Sequence, residues 1–475
     1  MQHSKFCSRR NSKPAILTVL FIFWICTISV HKATADTAPT HDIWQGDWQG
    51  QLKINPSLQL TLILHIHNDD NQLTATLDSP DQGAFAIPVN RIHTQEQQIE
   101  IVLNSIGATY TAQLHNHSLV GNFSQGGNQL PLTLQRQSFT QASEIAEKLA
   151  RPQEPKAPYP YIEEDISYPH ISGEFSFAAT LTKPKGKGNF TAAILISGSG
   201  PQDRDENIFQ HKPFKVIADH LTRQGYAVLR FDDRGTAKSG GQFADTTMEG
   251  FASDVKSAYQ YLLTRSDINH KKIGLIGHSE GGITGPIFAA QQPDVAFVIM
   301  LAGVGVPGKK LWATQQRDIG IAAGMPNGQF IYNLHETAAQ MAIDGASEQQ
   351  ITKHFMQVPG IQAQLVKPIA QLLSSAWGRS LMAYEPQPIL SKLQMPLLAI
   401  NGELDMQVAS TDNLHNIQKI MVNSQNDDVT IVPLAGLNHL LQKAQTGNPS
   451  EYAQINETVN AKALTTISNW LNERF

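Results

Sequence analysis

A serine with glycine two residues away on each side is a candidate nucleophile, and the chain offers one in Gly277-His278-Ser279-Glu280-Gly281. The pattern suits a backbone turn so tight that its two flanking positions cannot carry side chains, which leaves the hydroxyl projecting from the bend. A serine hydroxyl needs a base, and the base needs a carboxylate to orient it. Two later stretches supply them. Asn401-Gly402-Glu403-Leu404-Asp405 holds Asp405, with Glu403 as a nearby competitor, and Gly436-Leu437-Asn438-His439 holds His439. Acyl transfer also needs two backbone donors aimed at the developing oxyanion. The N–H of Glu280 is one, and Gly198-Ser199-Gly200 provides the other, Ser199 first and Gly200 as the alternative. Such a set would cleave an acyl bond through a covalent acyl-enzyme.

The elements around these residues read as the frame that the chemistry requires. The apolar run Ile273, Leu275, Ile276 ends at Gly277, and a helix-compatible stretch from Ile283 to Gln291 follows, giving strand, bend and helix. His278 reads as a structural residue pointing away from the nucleophile. From Thr191 onward buried strands alternate with helices: strand to Ser197, helix Phe214 to Gln224, strand Tyr226 to Phe231, helix Met248 to Thr264, the elbow unit, strand Val295 to Ala302. This alternation implies a parallel sheet covered on both faces. It breaks at Gly303, and residues to about Leu393 read as mostly helical, a lid beside the catalytic edge. Strands resume at Leu397 to Ile400 and Val429 to Pro433, so Asp405 and His439 both fall on loops after strands.

The rest of the chain is organised differently. Residues 42–138 read as short strands separated by turns, a small antiparallel barrel or sandwich, with Leu60, Leu62, Leu64 and Ile66 on one face. His65 and His67, and His115 and His117, form two H-x-H pairs that could either present imidazoles to a metal or lie on the solvent face; no metal site is assigned to them. Residues 139–160 read as a short helix, Ala142 to Ala150, and a stiff proline-rich linker, with the second domain at 161–475. Residues 1–35 have a basic start, an apolar core from Ala15 to Val30 and Ala33-Thr34-Ala35, the form of a cleavable signal peptide; the expected destination is the periplasm or the exterior, without stable membrane insertion. Both cysteines, Cys7 and Cys26, lie there, so the mature chain would have no disulfide and no thiolate chemistry. Lys5, Arg9, Arg10, Lys13 and Lys32 also lie there, so the remainder is more acidic than the formal charge of −5, which argues against a nucleic-acid partner.

Five motifs in order, ISGSGPQDRDE (196–206), FDDRGTAKSGG (231–241), GHSEGG (277–282), NGELDMQV (401–408) and GLNH (436–439), make residues 161–475 resemble the α/β-hydrolase superfamily, in particular bacterial esterases related to the serine aminopeptidase and dienelactone hydrolase branches. The resemblance implies an α/β-hydrolase fold with a helical lid at about 303–393, preceded by the small β-rich domain. It implies Ser279 as nucleophile, Asp405 as acid, His439 as base, and Ser199 with Glu280 at the oxyanion hole, with no cofactor. Asp232, Asp233 and Arg234 match the family's D-x-R-G stretch and read as structural ion-pairing residues; Asp203, Arg204 and Asp205 read as scaffolding for the oxyanion loop. The expected activity is hydrolysis of small carboxylic esters. The alternatives are an aminopeptidase of the same fold, or a non-catalytic protein binding its ligand through the β-rich domain.

Overall fold

The structure, a computed structural model, describes residues 34–36, 43–55, 58–69, 72–79, 84–125, 128–137, 151–359, 361 and 363–475. Residues 1–33, with most of the expected signal segment, and the expected helix Ala142 to Ala150 lie outside them.

Ten strands make the first sheet: β1 (Thr34–Asp36), β2 (Gly46–Asn55), β3 (Leu58–Asp69), β4 (Gln72–Ser79), β5 (Ala84–Pro88), β6 (Arg91–Gln95), β7 (Gln98–Leu103), β8 (Ala108–His115), β9 (Ser118–Gln125) and β10 (Asn128–Arg136). Their order is β1-β6-β7-β8-β9-β10-β2-β3-β4-β5, and apart from β1 beside β6 the pairs are antiparallel. The alternation in β3 has its expected effect, since Leu62, Leu64 and Ile66 are buried while His67 is exposed. They share one core with Trp44, Trp48 and Ile92, drawn from both halves of the strand order. One sheet therefore curls around its own apolar face as a half-barrel, rather than two sheets packing as a sandwich.

The histidine pairs do not converge. His115 and His117 are exposed, and His117 lies in the turn after β8 rather than on a strand. His65 sits between two carboxylates, with Asp47 Oδ1 2.7 Å from Nδ1 and Asp78 Oδ2 3.1 Å from Nε2. The Asp78 bond, helped by Asp47 against partial burial, pushes the His65 pKa up to about 9. Among the described residues no group of three or more His, Cys, Asp or Glu side chains is arranged to hold a metal.

The proline-rich stretch that reads as a spacer is strapped to the second unit. Arg151 donates to the carbonyls of Phe209 and Ala453 at 3.0 and 2.8 Å, Gln153 donates to Val459 O at 2.7 Å, and Glu154 accepts from Lys212 and Lys215.

The second sheet has eight strands: β11 (Ile162–Pro169), β12 (Ser176–Lys183), β13 (Phe190–Ile196), β14 (Ala227–Phe231), β15 (Ile268–His278), β16 (Val298–Leu301), β17 (Leu397–Gly402) and β18 (Val429–Leu434), in the order β11-β12-β14-β13-β15-β16-β17-β18. The first two pairings are antiparallel and the remainder parallel. Helices α1 (Pro213–Arg223), α2 (Met248–Leu263) and α3 (Gly281–Ala289) connect the early parallel strands. The sheet has a separate apolar core on each face, as near-continuous apolar strands demand. This is the α/β-hydrolase fold. Between β16 and β17 lie α4 (Gly308–Ala322), α5 (Gly328–Ile343), α6 (Glu348–Phe355), α7 (Ala363–Ser374), α8 (Ala376–Met382) and α9 (Gln387–Leu390). Trp312, Ala338, Phe355 and Trp377 from these helices share a core with Ile283 and Val304, so this insertion is built onto the sheet. Helix α10 (Ser410–Asn423) and the C-terminal α11 (Ala461–Asn472) cover the late strands.

Candidate active site

Strand β15 ends at His278, and the next residue, Ser279, has φ 52°, the left-handed region that an L-residue enters at a cost of about 1–2 kcal/mol. The Ser279 N–H donates to Leu301 O on β16 at 2.9 Å, which helps hold the bend against that cost. The flanking glycines are required by contact. A Cβ on Gly277 would lie 2.1 Å from Gly281 O, and one on Gly281 would lie 2.1 Å from Ile196 O; both obstacles are backbone and cannot swing aside. Every residue of α3 is buried, so the helix that follows the bend is fixed, with its N-terminus, where the helix dipole is positive, at the serine.

Asp405 and His439 come together from different strands. Asp405 lies just beyond β17, where its Oδ1 accepts from the N–H of Gln407 and of Val408, both at 2.8 Å. Its Oδ2 lies 2.8 Å from His439 Nδ1, and both residues are buried. Glu403 is exposed, and no histidine pairs with it among the described residues. The loop carrying His439 reaches the elbow, where His278 Nε2 lies 3.0 Å from His439 O and the two rings are 4.9 Å apart. No hydrogen bond joins Ser279 Oγ to His439 among the described residues; such bonds commonly form at full strength only with substrate in place.

The loop after β13 passes directly over the serine, since a Cβ on Gly198 would lie 3.3 Å from Ser279 Cβ. Gly198 N–H is engaged by Glu206 Oε1 at 2.8 Å. Among the described residues the N–H groups of Ser199 and Glu280 donate to no backbone acceptor. The loop is held by the D-x-R-G stretch. Asp232 takes a two-pronged contact from Arg204 at 2.9 and 2.8 Å, and Asp233 accepts from Ser197 Oγ at 2.6 Å and Gln202 N at 2.9 Å. Burial works against ionisation of Asp232, but the Arg204 bonds outweigh it and hold that carboxyl below its ordinary range. Arg234 turns the other way, to Asp254 on α2. Asp232 and Arg234 thus form the expected ion pairs, whereas Asp233 is held by a hydroxyl and a backbone N–H instead.

Two side chains do more than their sequence context suggests. Glu280 points its carboxyl into the protein, where Ser199 Oγ donates at 2.8 Å and the indole N–H of Trp377 lies 3.1 and 3.0 Å from its two oxygens. Trp377 belongs to α8, so this carboxyl ties the oxyanion loop to the helical insertion. Burial pushes its pKa up to about 7. A small cavity beside it is bordered by Gly198, Asp233, Asp254 and Thr284. His278, expected to point away, does so, but into a buried bridge between Glu206 and the His439 carbonyl. Neither role had a signal in the sequence, because the partners lie far along the chain.

The chain is similar to several known proteins. Esterase EstD of Thermotoga maritima is 25% identical over 366 residues, covering 76% of this chain and 79% of the relative. The esterase Pf2001 of Pyrococcus furiosus has 14% identity and a TM-score of 0.42, covering 66% of this chain and 93% of its own. A hypothetical protein, PA2218 of Pseudomonas aeruginosa, has 16% identity and a TM-score of 0.42, covering 68% and 96%. The profile of the X-Pro dipeptidyl-peptidase (S15) family matches residues 125–426, more than half of the chain, a stretch that includes Ser279 and Asp405. The chain thus belongs to the X-Pro dipeptidyl-peptidase (S15) family, as a hydrolase built on the α/β-hydrolase fold.

Proposed function

We propose that the protein is a carboxylesterase acting on small esters, with Ser279 as nucleophile, His439 as general base and Asp405 orienting the imidazole. In this reading His439 takes the Ser279 proton as Oγ attacks the ester carbonyl. The oxyanion is held by the N–H groups of Ser199 and Glu280, the alcohol leaves with the proton from His439, and water, activated by the same base, releases the acid. The observation that carries the reading is the buried 2.8 Å pair of His439 and Asp405 beside a serine held in the left-handed region. Helices α4 to α9 would cover the acyl pocket. The relationship to a protein named as an esterase favours esters.

The family match keeps peptide cleavage as a second reading. A peptidase that binds a free amino terminus needs a carboxylate available to it, whereas Glu280, Asp233 and Asp254 each engage donors within the protein. Rates on short-chain nitrophenyl esters against aminoacyl and X-Pro anilides separate the two. Esters should be the better substrates by orders of magnitude, and the reverse order would establish the peptidase. The basic and apolar N-terminal segment supports export to the periplasm or beyond, which N-terminal sequencing of the mature protein tests; no helix of the described residues is long and apolar enough to cross a membrane.

A further inference from the structure

His278 precedes the nucleophile and is buried, yet the mechanism gives it no task. Its two ring nitrogens face two acceptors. Nδ1 lies 2.8 Å from Glu206 Oε1, and Nε2 lies 3.0 Å from the backbone carbonyl of His439. A carbonyl oxygen can only accept, so Nε2 carries a hydrogen. Glu206 Oε1 also accepts from Gly198 N–H at 2.8 Å; as a carboxylate it can only accept, which assigns the hydrogen between it and the ring to Nδ1. The ring is therefore an imidazolium with a carboxylate partner. It joins three pieces of the site: the oxyanion loop through Glu206, the elbow through its own backbone, and the His439 loop through the carbonyl.

We propose that His278 is a positioning residue that sets the His439 loop and the oxyanion loop in mutual register by donating from both ring nitrogens. The proposal rests on Ser279 and His439 acting as assigned above. The contact is directional, and a misplacement of about 1 Å in a reacting group can reduce turnover by about 100-fold. Titratable groups acting on the ring come from three loops: Glu206 after β13, Asp405 after β17 and the His439 imidazole after β18. Burial alone would discharge the ring, but Glu206, the His439 carbonyl and Asp405 together hold its pKa above the ordinary histidine value. Both donations are therefore present below the folded pKa, and one of them is lost as pH rises through it.

The test is hydrolysis of p-nitrophenyl acetate from pH 5 to 10 by the full chain, the Glu206→Gln variant and the His278→Gln variant, with fluorophosphonate labelling of Ser279 in each. Glutamine at 206 keeps an oxygen for Gly198 N–H but removes the charge opposite the ring. The alkaline limb of kcat should move down by about one pH unit, with KM within about two-fold. His278→Gln cannot bridge both acceptors, and its kcat should fall by about 10- to 100-fold while labelling stays stoichiometric but slower. An alkaline limb unmoved in Glu206→Gln overturns the proposal even if His278→Gln does not fold. A kcat unchanged in a folded His278→Gln also overturns it. An unmutated protein that fails to label at Ser279 overturns the functional reading itself and the proposal with it.

Discussion

Replacing Trp377 by Phe should destabilise the protein by an amount that depends on pH, and the pH-dependent part isolates one buried hydrogen bond. The indole N–H lies 3.0–3.1 Å from both oxygens of Glu280, and phenylalanine removes that donor while keeping most of the ring volume. The lost volume leaves a small cavity whose cost is the same at every pH. The hydrogen bond is different. Below the pKa of about 7 the carboxyl is neutral, and the bond contributes about 0.5–1.5 kcal/mol; above it the carboxylate is charged, and the contribution becomes about 1.5–3 kcal/mol. The sign follows from linkage. Glu280 has a folded pKa raised above its unfolded value, so its contribution is full below the ordinary carboxyl pKa and is lost as pH rises through about 7. Removing a donor that favours the charged form extends that loss to higher pH. Urea unfolding of the two proteins at pH 5.5 and 8.5 should therefore show a destabilisation larger by about 1–1.5 kcal/mol at the higher pH. Equal destabilisation at both values would refute the link between Trp377 and an ionising Glu280.

Other consequences are equally direct. Asp405→Asn keeps the shape of the side chain but turns a donor toward His439 Nδ1, so turnover on a nitrophenyl ester should fall by about 10⁴ while the circular dichroism spectrum is unchanged. Gly277→Ala places a methyl 2.1 Å from a backbone oxygen, and the variant should lose several kcal/mol of stability or fail to accumulate; a folded, fully active variant would contradict the elbow geometry. His65 has a folded pKa raised to about 9, so its pairing with Asp78 and Asp47 contributes fully below about pH 6.5 and is lost as pH rises through 9. The stability advantage of the unmutated protein over His65→Gln should shrink between pH 6 and 10, as followed by thermal melts.

Much of this was legible in the sequence because backbone sterics are local. Gly277 and Gly281 are demanded by contacts within the elbow and with the adjacent strand β13, and the apolar runs of β13, β15 and β17 can only be buried strands. The stretch from Gly303 to about Leu393, expected to be mostly helical, holds α4 to α9. Helix α8 was not legible: Ala376 to Met382 is short, contains Gly378 and has no sustained apolar period, yet it carries Trp377. Helix α10 lies outside the expected elements although its buried Leu414, Ile417, Ile420 and Met421 recur at helical spacing, so that signal was present in the sequence. The least legible features are the Glu280 and His278 contacts. Their partners lie 97 and 161 residues away for Trp377 and the His439 carbonyl, distances over which residue type carries no information about pairing. The β-rich unit shows the same limit: alternation marks the inward face of each strand but not whether strands close into one sheet or two.

The central claim, that a single activated serine does the chemistry, is tested most directly by intact-mass and peptide analysis after treatment with a fluorophosphonate. The account predicts one adduct per chain, located on Ser279, with none on Ser279→Ala. An unmodified protein, or an adduct confined to any other residue, would contradict it.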